Sequence, residues 1–308
     1  MSDARPFKKV ALLGKGKLGT VMLTELLNAN YPVTVLSRHT SPTSSTPLPP
    51  GATLAKVDYT SLESLKSALS GHDIIISTVA YSAMNIQKPI IDAAIAVGVK
   101  RFIPAEYGPM PIDRRMSYYT DALEIRAYLE AKAATGQLEY TIFTVGVWME
   151  VVFSTPLVVD FEYRGVRLFD GGVHAFSTSR IVTVAKAVVK SLEMGKAEKT
   201  RDRIVWVHDA VLTQRRVLEL AKRATAGDGE EREWVKMEVD AGKEVEELIK
   251  KTSEKFDDML WPGLFAAALM CGRLGAEFQE VDNELLGIGV MSEEEIEAFC
   301  MELRGGGE

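Results

Sequence analysis

The sequence predicts an α/β protein built on a doubly wound parallel sheet, with a smaller C-terminal α+β region that takes the substrate. Three observations predict it. Apolar runs alternate with amphipathic stretches of helical period through the first 150 residues. One run, Asp73 to Val79, is apolar without alternation, as a strand buried on both faces requires. From Gly146 onward the rhythm breaks into shorter segments of mixed type. The expected division is therefore residues 1–150 and residues 151–308, with a last sheet strand contributed from about 203–208.

Val10 to Leu13 is the first strand, and it ends in Gly14-Lys15-Gly16-Lys17-Leu18-Gly19, a G-x-G-x-x-G triplet. Leu18 to Asn30 then reads as a helix carrying Val21, Met22, Leu26 and Leu27. Strand, tight turn and helix make this the Rossmann-type dinucleotide fingerprint. Gly14 makes the turn, Gly16 lets backbone approach a pyrophosphate, and Gly19 lets the helix pack on the strand. The anion then rests on free N–H groups of the helix N-terminus. The competing reading is a glycine loop that only turns a corner.

Tyr31 to Arg38 is the second strand. An NAD site needs a carboxylate at its end for the ribose hydroxyls, whereas a 2′-phosphate needs a cation. Arg38 is a cation, so NADP(H) is expected over NAD(H); the bland alternative is an arginine at a loop mouth.

His39 to Gly51, rich in Ser, Thr and Pro, reads as a mobile loop beside the adenosine. Thr53 to Val57 is a third strand; Asp58 after it either touches adenine or caps the helix Ser61 to Leu69. The run Asp73 to Val79 ends in Ser77-Thr78-Val79-Ala80 at the carboxyl edge of the sheet, where ligands bind. Helix Asn85 to Val97, strand Lys100 to Pro104, helix Tyr119 to Ala134 and strand Glu139 to Val145 complete the alternation. Beyond it, short strands flank the Asp170-Gly171-Gly172 turn. Amphipathic helices span Ser179 to Met194 and Thr213 to Thr225, with Arg203 to Val207 as a strand between them. Ala226 to Glu233 reads as a charged surface turn and Gly242 to Phe256 as a charged helix. Trp261 to Leu274 is an apolar helix that walls a pocket or packs a homodimer, and Gly305 to Glu308 should be disordered.

The totals exclude several classes. A 308-residue chain with 46% hydrophobic and 26% charged residues suits a globular protein with a full core. A net charge of −7 offers no footprint for nucleic acid. Two cysteines, Cys271 and Cys300, make no disulfide framework, and no long apolar run marks a membrane span or leader, so a cytoplasmic protein is expected. The four histidines and two cysteines show no metal-ligand spacing. His72 and His208 carry no assigned role.

The block from Ile86 through Ile90-Ile91-Asp92-Ala93-Ala94 to Gly98-Val99-Lys100-Arg101-Phe102-Ile103-Pro104-Ala105-Glu106-Tyr107-Gly108 resembles the isoflavone reductase and phenylcoumaran benzylic ether reductase group. That group lies within the NmrA-like atypical short-chain dehydrogenases. With the glycine loop and Arg38 the likeness covers roughly residues 8 to 155 and fades beyond. The resemblance implies NADPH as cofactor and reduction of an aromatic or polyketide-like small molecule. It places Gly14, Lys15, Gly16, Lys17, Leu18, Gly19, Arg38, Thr78, Val79, Pro104, Ala105, Glu106 and Tyr107 along the cofactor.

One departure bears on the chemistry. Reductases of this group carry a lysine near the start of the helix before strand six, as general acid/base, and here that place falls on Ala122. Lys132 is nearly three turns further on, too far to substitute. Tyr118, four residues before Ala122, has the spacing of a short-chain dehydrogenase tyrosine and is the first proton-donor candidate; Tyr119 and Asp121 follow. All could instead pack a pocket wall. Trp148, Met149 and Phe153 after strand six are candidates to cover the nicotinamide and an aromatic substrate, with core packing as the alternative; His174 could reach the same pocket.

Three functions remain open: an NADPH-dependent reductase of a small aromatic or ketone- or enone-bearing metabolite, a non-catalytic NADP-binding sensor, and a non-redox enzyme that retains NADP.

Overall fold

The structure is a computed structural model that describes residues 5–38, 47–109, 113–226, 233–252 and 259–305. Expectations for residues 39–46, 227–232, 253–258 and 306–308 lie outside the described residues.

The first half alternates as expected. β1 (Val10–Leu13) leads to α1 (Lys17–Asn28), β2 (Val33–Arg38) and β3 (Ala52–Val57) follow, and then α2 (Leu62–Leu69) and β4 (Ile74–Ser77). A 3-10 turn (Tyr81–Ile86) enters α3 (Gln87–Ala96), followed by β5 (Arg101–Ile103), the short β6 (Tyr107–Gly108), α4 (Thr120–Ala134) and β7 (Glu139–Thr144). The second half holds β8 (Val147–Trp148), α5 (Met149–Ser154), β9 (Gly165–Phe169), β10 (Ala175–Ser179), α6 (Ile181–Ser191), β11 (Arg203–Trp206) and β12 (Ala210–Thr213). It ends in α7 (Gln214–Ala224), β13 (Val235–Val239), α8 (Ala241–Thr252), α9 (Trp261–Met270), α10 (Asn283–Leu286) and α11 (Glu293–Gly305).

The central sheet runs β11-β7-β5-β4-β1-β2-β3, all parallel, with β6 paired to β7 off that path. The order reverses at β1, which is where such sheets open a crevice at their carboxyl edge. Alternation along each strand feeds two cores. Val10 and Leu12 of β1 face α1 and α6, while Ala11 and Leu13 face α2, α3 and α4. The strand expected near 203–208 joins the sheet beside β7. α6, which lies beyond residue 150, packs on the same face as α1.

A third core gathers α5, β9, α7, α8, α9 and α11. The short strands expected around the Asp170–Gly172 turn are both present. β9 and β10, on either side of the Asp170–Gly172 turn, do not pair: β9 runs parallel to β13, and β10 lies between β12 and β8. Gly171 and Gly172 have φ of +72° and +70°, so the turn redirects the chain between two sheets instead of closing a hairpin. Asp58 does not cap α2: Ser61 does, its Oγ accepting from the Ser64 N–H, while Asp58 Oδ1 accepts from Thr60.

Candidate active site

A cavity of about 1130 Å³ opens along the carboxyl edge of the sheet. Its first end is the glycine loop. Gly14 has φ +89°, and a Cβ there would stand 2.7 Å from the Thr78 carbonyl oxygen. A Cβ on Gly19 would stand 2.3 Å from Gly14 O. Packing inside the chain therefore demands both glycines, and Thr78 locks the corner by donating its hydroxyl to Leu13 O at 2.8 Å. Gly16 is different. Its φ of −79° is open to any residue, and a Cβ would meet nothing within 4 Å. The clear space that glycine preserves lies in the cavity, at the start of α1, whose N-cap makes no side-chain hydrogen bond. That is a cradle fit for a pyrophosphate.

Lys15, Lys17, Leu18, Thr78 and Val79 line the same end, and Arg38, exposed at the tip of β2, lines it too. Three cations thus border this part of the cavity. Its one lining carboxylate among the described residues, Glu106, lies elsewhere along the wall. Asp58 is not part of the lining; Tyr59 and Thr60 take that place. Tyr59 donates to Leu36 O at 3.2 Å, and burial pushes its hydroxyl up to about 12 against the pull of the Arg38 charge.

Midway, the Pro104–Tyr107 segment crosses the floor. Ala105, Glu106 and Tyr107 line the cavity, but Pro104 is buried behind them, its carbonyl accepting from the Glu106 N–H at 2.8 Å. Gln87 Oε1 accepts from the Ala105 N–H at 2.9 Å, and the Trp148 indole donates to Tyr107 O at 2.9 Å. Glu106 is ion-paired with Arg126 of α4. Burial pushes the Glu106 carboxyl above its usual range, with the Arg126 guanidinium opposing the shift.

The far end is aromatic. Tyr118 lies parallel to Tyr81, centroids 3.7 Å apart at 8°, and parallel to Trp261, also at 3.7 Å and at 15°. Tyr119 meets Tyr118 edge-on at 5.2 Å, and Phe265 extends the wall from Trp261. The Tyr81 hydroxyl donates to the Tyr118 carbonyl. Burial pushes Tyr118 up to about 12 and Tyr119 well above its ordinary value. At neutral pH both are protonated, so they can donate a proton and cannot abstract one.

Ala122 lines this end at 3% exposure, between the tyrosines and the body of α4. Among the described residues the cavity-lining lysines are Lys15 and Lys17, both in the glycine loop. Asp121 is exposed and outside the lining.

Three sequence-based candidates fall elsewhere. Met149 and Phe153 are fully buried in the third core, because with Val152 they form the inward face of α5, while Trp148 and Val151 face the cavity. His174 lies 3.5 Å from Asp170 and against Gly272, away from the cavity lining. Tyr59, Tyr81 and Val151 line the cavity as well, without a motif to mark them; only Tyr81 carries a sequence signal, its place just after the strand end Ser77–Ala80. Phe265, one turn after Trp261, is the i,i+4 partner that the expected wall helix required.

The model of the NmrA-like family matches residues 7–225. The chain belongs to the NmrA-like family. The oxidoreductase aprR of Aspergillus flavus is 30% identical over 306 residues, covering 95% of this NmrA-like chain and 98% of its own. A probable pinoresinol-lariciresinol reductase of Arabidopsis thaliana is 29% identical over 206 residues, 63% of this chain and 66% of its own. Among solved structures, an isoflavone reductase superposes with TM-score 0.74 at 18% identity, covering 95% of this chain and 98% of its own. The leucoanthocyanidin reductase of Vitis vinifera, solved with NADPH, superposes with TM-score 0.71 at 17% identity over 96% and 99%. These two likenesses establish the Rossmann-like α/β fold. Among the described residues of this family member, no helix is long and apolar enough to cross a membrane, and no acid, histidine or cysteine group could hold a metal.

Proposed function

We propose that this NmrA-like protein is an NADPH-dependent reductase of a small metabolite carrying an aromatic ring and a ketone, enone or benzylic carbon. The observation that carries the reading is one continuous cavity with a cationic glycine cradle at one end and a wall of aromatic rings, Tyr81, Tyr118, Tyr119, Trp261 and Phe265, at the other. Residues 1–150 supply most of the cofactor side and residues 151–308 the remaining cover.

The chain's own residues divide the work. The α1 N-terminus, Lys15 and Lys17 hold the pyrophosphate, and Arg38 reads the 2′-phosphate by a charge-assisted contact. When bound, the dinucleotide supplies the hydride. Ala105, Glu106, Tyr107 and Trp148 border the middle of the cavity, where the reacting carbon is brought into place and water is excluded. The oxygen that gains charge takes a proton from a tyrosine hydroxyl at the aromatic end, Tyr118 or Tyr119.

Titration of NADPH, NADP+ and NADH, followed by a screen for NADPH oxidation on aromatic ketones, enones and benzylic ethers, tests this. Tight NADPH and turnover support it. Tight NADPH with no turnover on the panel favours a second reading, a non-catalytic NADP-binding sensor, for which the observation is Ala122 at the family's lysine position. No dinucleotide binding removes both.

A further inference from the structure

The three stacked rings have a consequence for what the far end of the cavity accepts. Tyr81 and Trp261 each lie 3.7 Å from the Tyr118 centroid and nearly parallel to it. One face of a single ring cannot seat two other rings at that distance, so Tyr81 and Trp261 cover opposite faces. Tyr119 stands edge-on to Tyr81, Tyr118 and Trp261 alike, at 6.3, 5.2 and 5.7 Å, and closes the bottom. The result is a slot one aromatic ring thick, opening on the cavity that Ala122 and Trp148 also line.

The ring now in the slot belongs to the chain itself. Its backbone is tied in place: the Tyr81 hydroxyl donates to Tyr118 O, and the neighbouring Tyr119 N–H donates to Met116 O at 3.0 Å. The Tyr118 side chain can therefore leave the slot by a χ1 rotation, a rotamer change that leaves those bonds intact. The two flat walls come from segments far apart in the sequence, the 3-10 turn Tyr81–Ile86 and α9, and only the edge-on ring of Tyr119 is local to Tyr118.

We propose that Tyr81, Trp261 and Tyr119 form the binding slot for one planar aromatic ring of the substrate, and that Tyr118 fills it as a removable plug. The plug selects for flatness. A fused or single aromatic ring slides between the two faces with the same stacking that Tyr118 makes, whereas a puckered saturated ring is too thick. The tyrosine left facing the bound ring is Tyr119, which makes it the donor that remains when Tyr118 swings out. This rests on the reductase reading only in taking this end as the substrate side, so its test is binding and not turnover.

The experiment uses the full chain saturated with NADP+, titrated calorimetrically with 2-naphthol and, in parallel, with its saturated counterpart decahydro-2-naphthol. A plug lowers apparent affinity by the fraction of time the slot is open. Tyr118→Ala should therefore tighten 2-naphthol about tenfold, roughly 1.4 kcal/mol, and leave the decahydro compound weak. Trp261→Ala should abolish that gain when added to Tyr118→Ala. Weaker or unchanged 2-naphthol binding in Tyr118→Ala, or none in either protein, overturns the proposal. A second readout does not depend on any variant folding: with 3-fluorotyrosine incorporated, 2-naphthol should move the Tyr118 fluorine resonance from its stacked position toward that of an exposed tyrosine. No movement on binding overturns the plug. Movement on NADP+ alone, with 2-naphthol then excluded, would assign the slot to the nicotinamide and equally overturn it.

Discussion

Arg126 stands one helical turn beyond Ala122 on α4, and its guanidinium closes on the Glu106 carboxylate in the wall of the cavity. The two side chains are 11% and 16% exposed, so the pair sits in a low-dielectric setting. The pair therefore sets the charge of the cavity floor.

Arg126→Met should destabilise the fold by about 3–5 kcal/mol, because it leaves a buried carboxylate without its partner. The double variant with Glu106→Gln should recover most of that loss, as urea denaturation would show. The pH dependence has a definite sign. Burial already holds the Glu106 carboxyl above its ordinary value, and losing Arg126 raises it further. A group whose folded value is raised contributes its stability below the unfolded value, about 4.3 for Glu, and loses it as pH rises through the folded value. Arg126→Met should thus lose stability relative to wild type as pH climbs from about 4.3, and equal behaviour at all pH values would count against a buried, shifted Glu106.

The glycine loop separates packing from binding. Gly19→Ala forces a Cβ to 2.3 Å from Gly14 O and should cost at least about 1–3 kcal/mol of stability. Gly16→Ala meets nothing within 4 Å, so a slightly poorer N-cap is offset by the lost freedom of glycine in the unfolded chain. Its melting temperature should barely move while NADPH affinity falls by tenfold or more. If both variants lose stability and neither loses affinity selectively, the loop is a corner and not a cradle.

On the proposed reading, Arg38→Ala should weaken NADPH by about 1.5–3 kcal/mol and leave NADH nearly unchanged, since only the former carries the phosphate that the guanidinium would contact. Paired titrations of the two dinucleotides decide it. Equal losses would mean that Arg38 merely sits at the mouth of the cavity.

The central sheet and the cradle were legible because their signals are local. The Ile74-Ile75-Ile76 run, the glycine triplet and the Arg38 strand end each encode their place within a few residues. The second half was not. β13 lies 70 residues from β9 along the chain, and the turn at Asp170–Gly172 looks locally like a hairpin although its flanking strands join different sheets. Trp148, Met149 and Phe153 look alike in sequence, but a helix starting at Met149 turns Met149 and Phe153 into the core and leaves Trp148 to the cavity. The aromatic slot draws on residues 81, 118, 119 and 261, a proximity that exists only after folding.

The proton step can be tested through its alkaline limit. Burial holds Tyr119 well above the ordinary tyrosine value, and Tyr118 up to about 12, so neither hydroxyl ionises across the physiological range. A donor must be protonated to act. Turnover of any substrate found in the panel should therefore show no fall attributable to tyrosine ionisation up to about pH 10, the ordinary tyrosine value. Tyr119→Phe should lower kcat by about 10²–10⁴ with NADPH affinity intact, the range expected for loss of a positioned proton donor. Introducing Ala122→Lys beside the tyrosines should pull their ionisation down through its charge and bring the alkaline fall of kcat to lower pH. A Tyr119→Phe protein that turns over at the wild-type rate would move the proton to another donor, and an unshifted profile in Ala122→Lys would show that position 122 does not face the reacting centre.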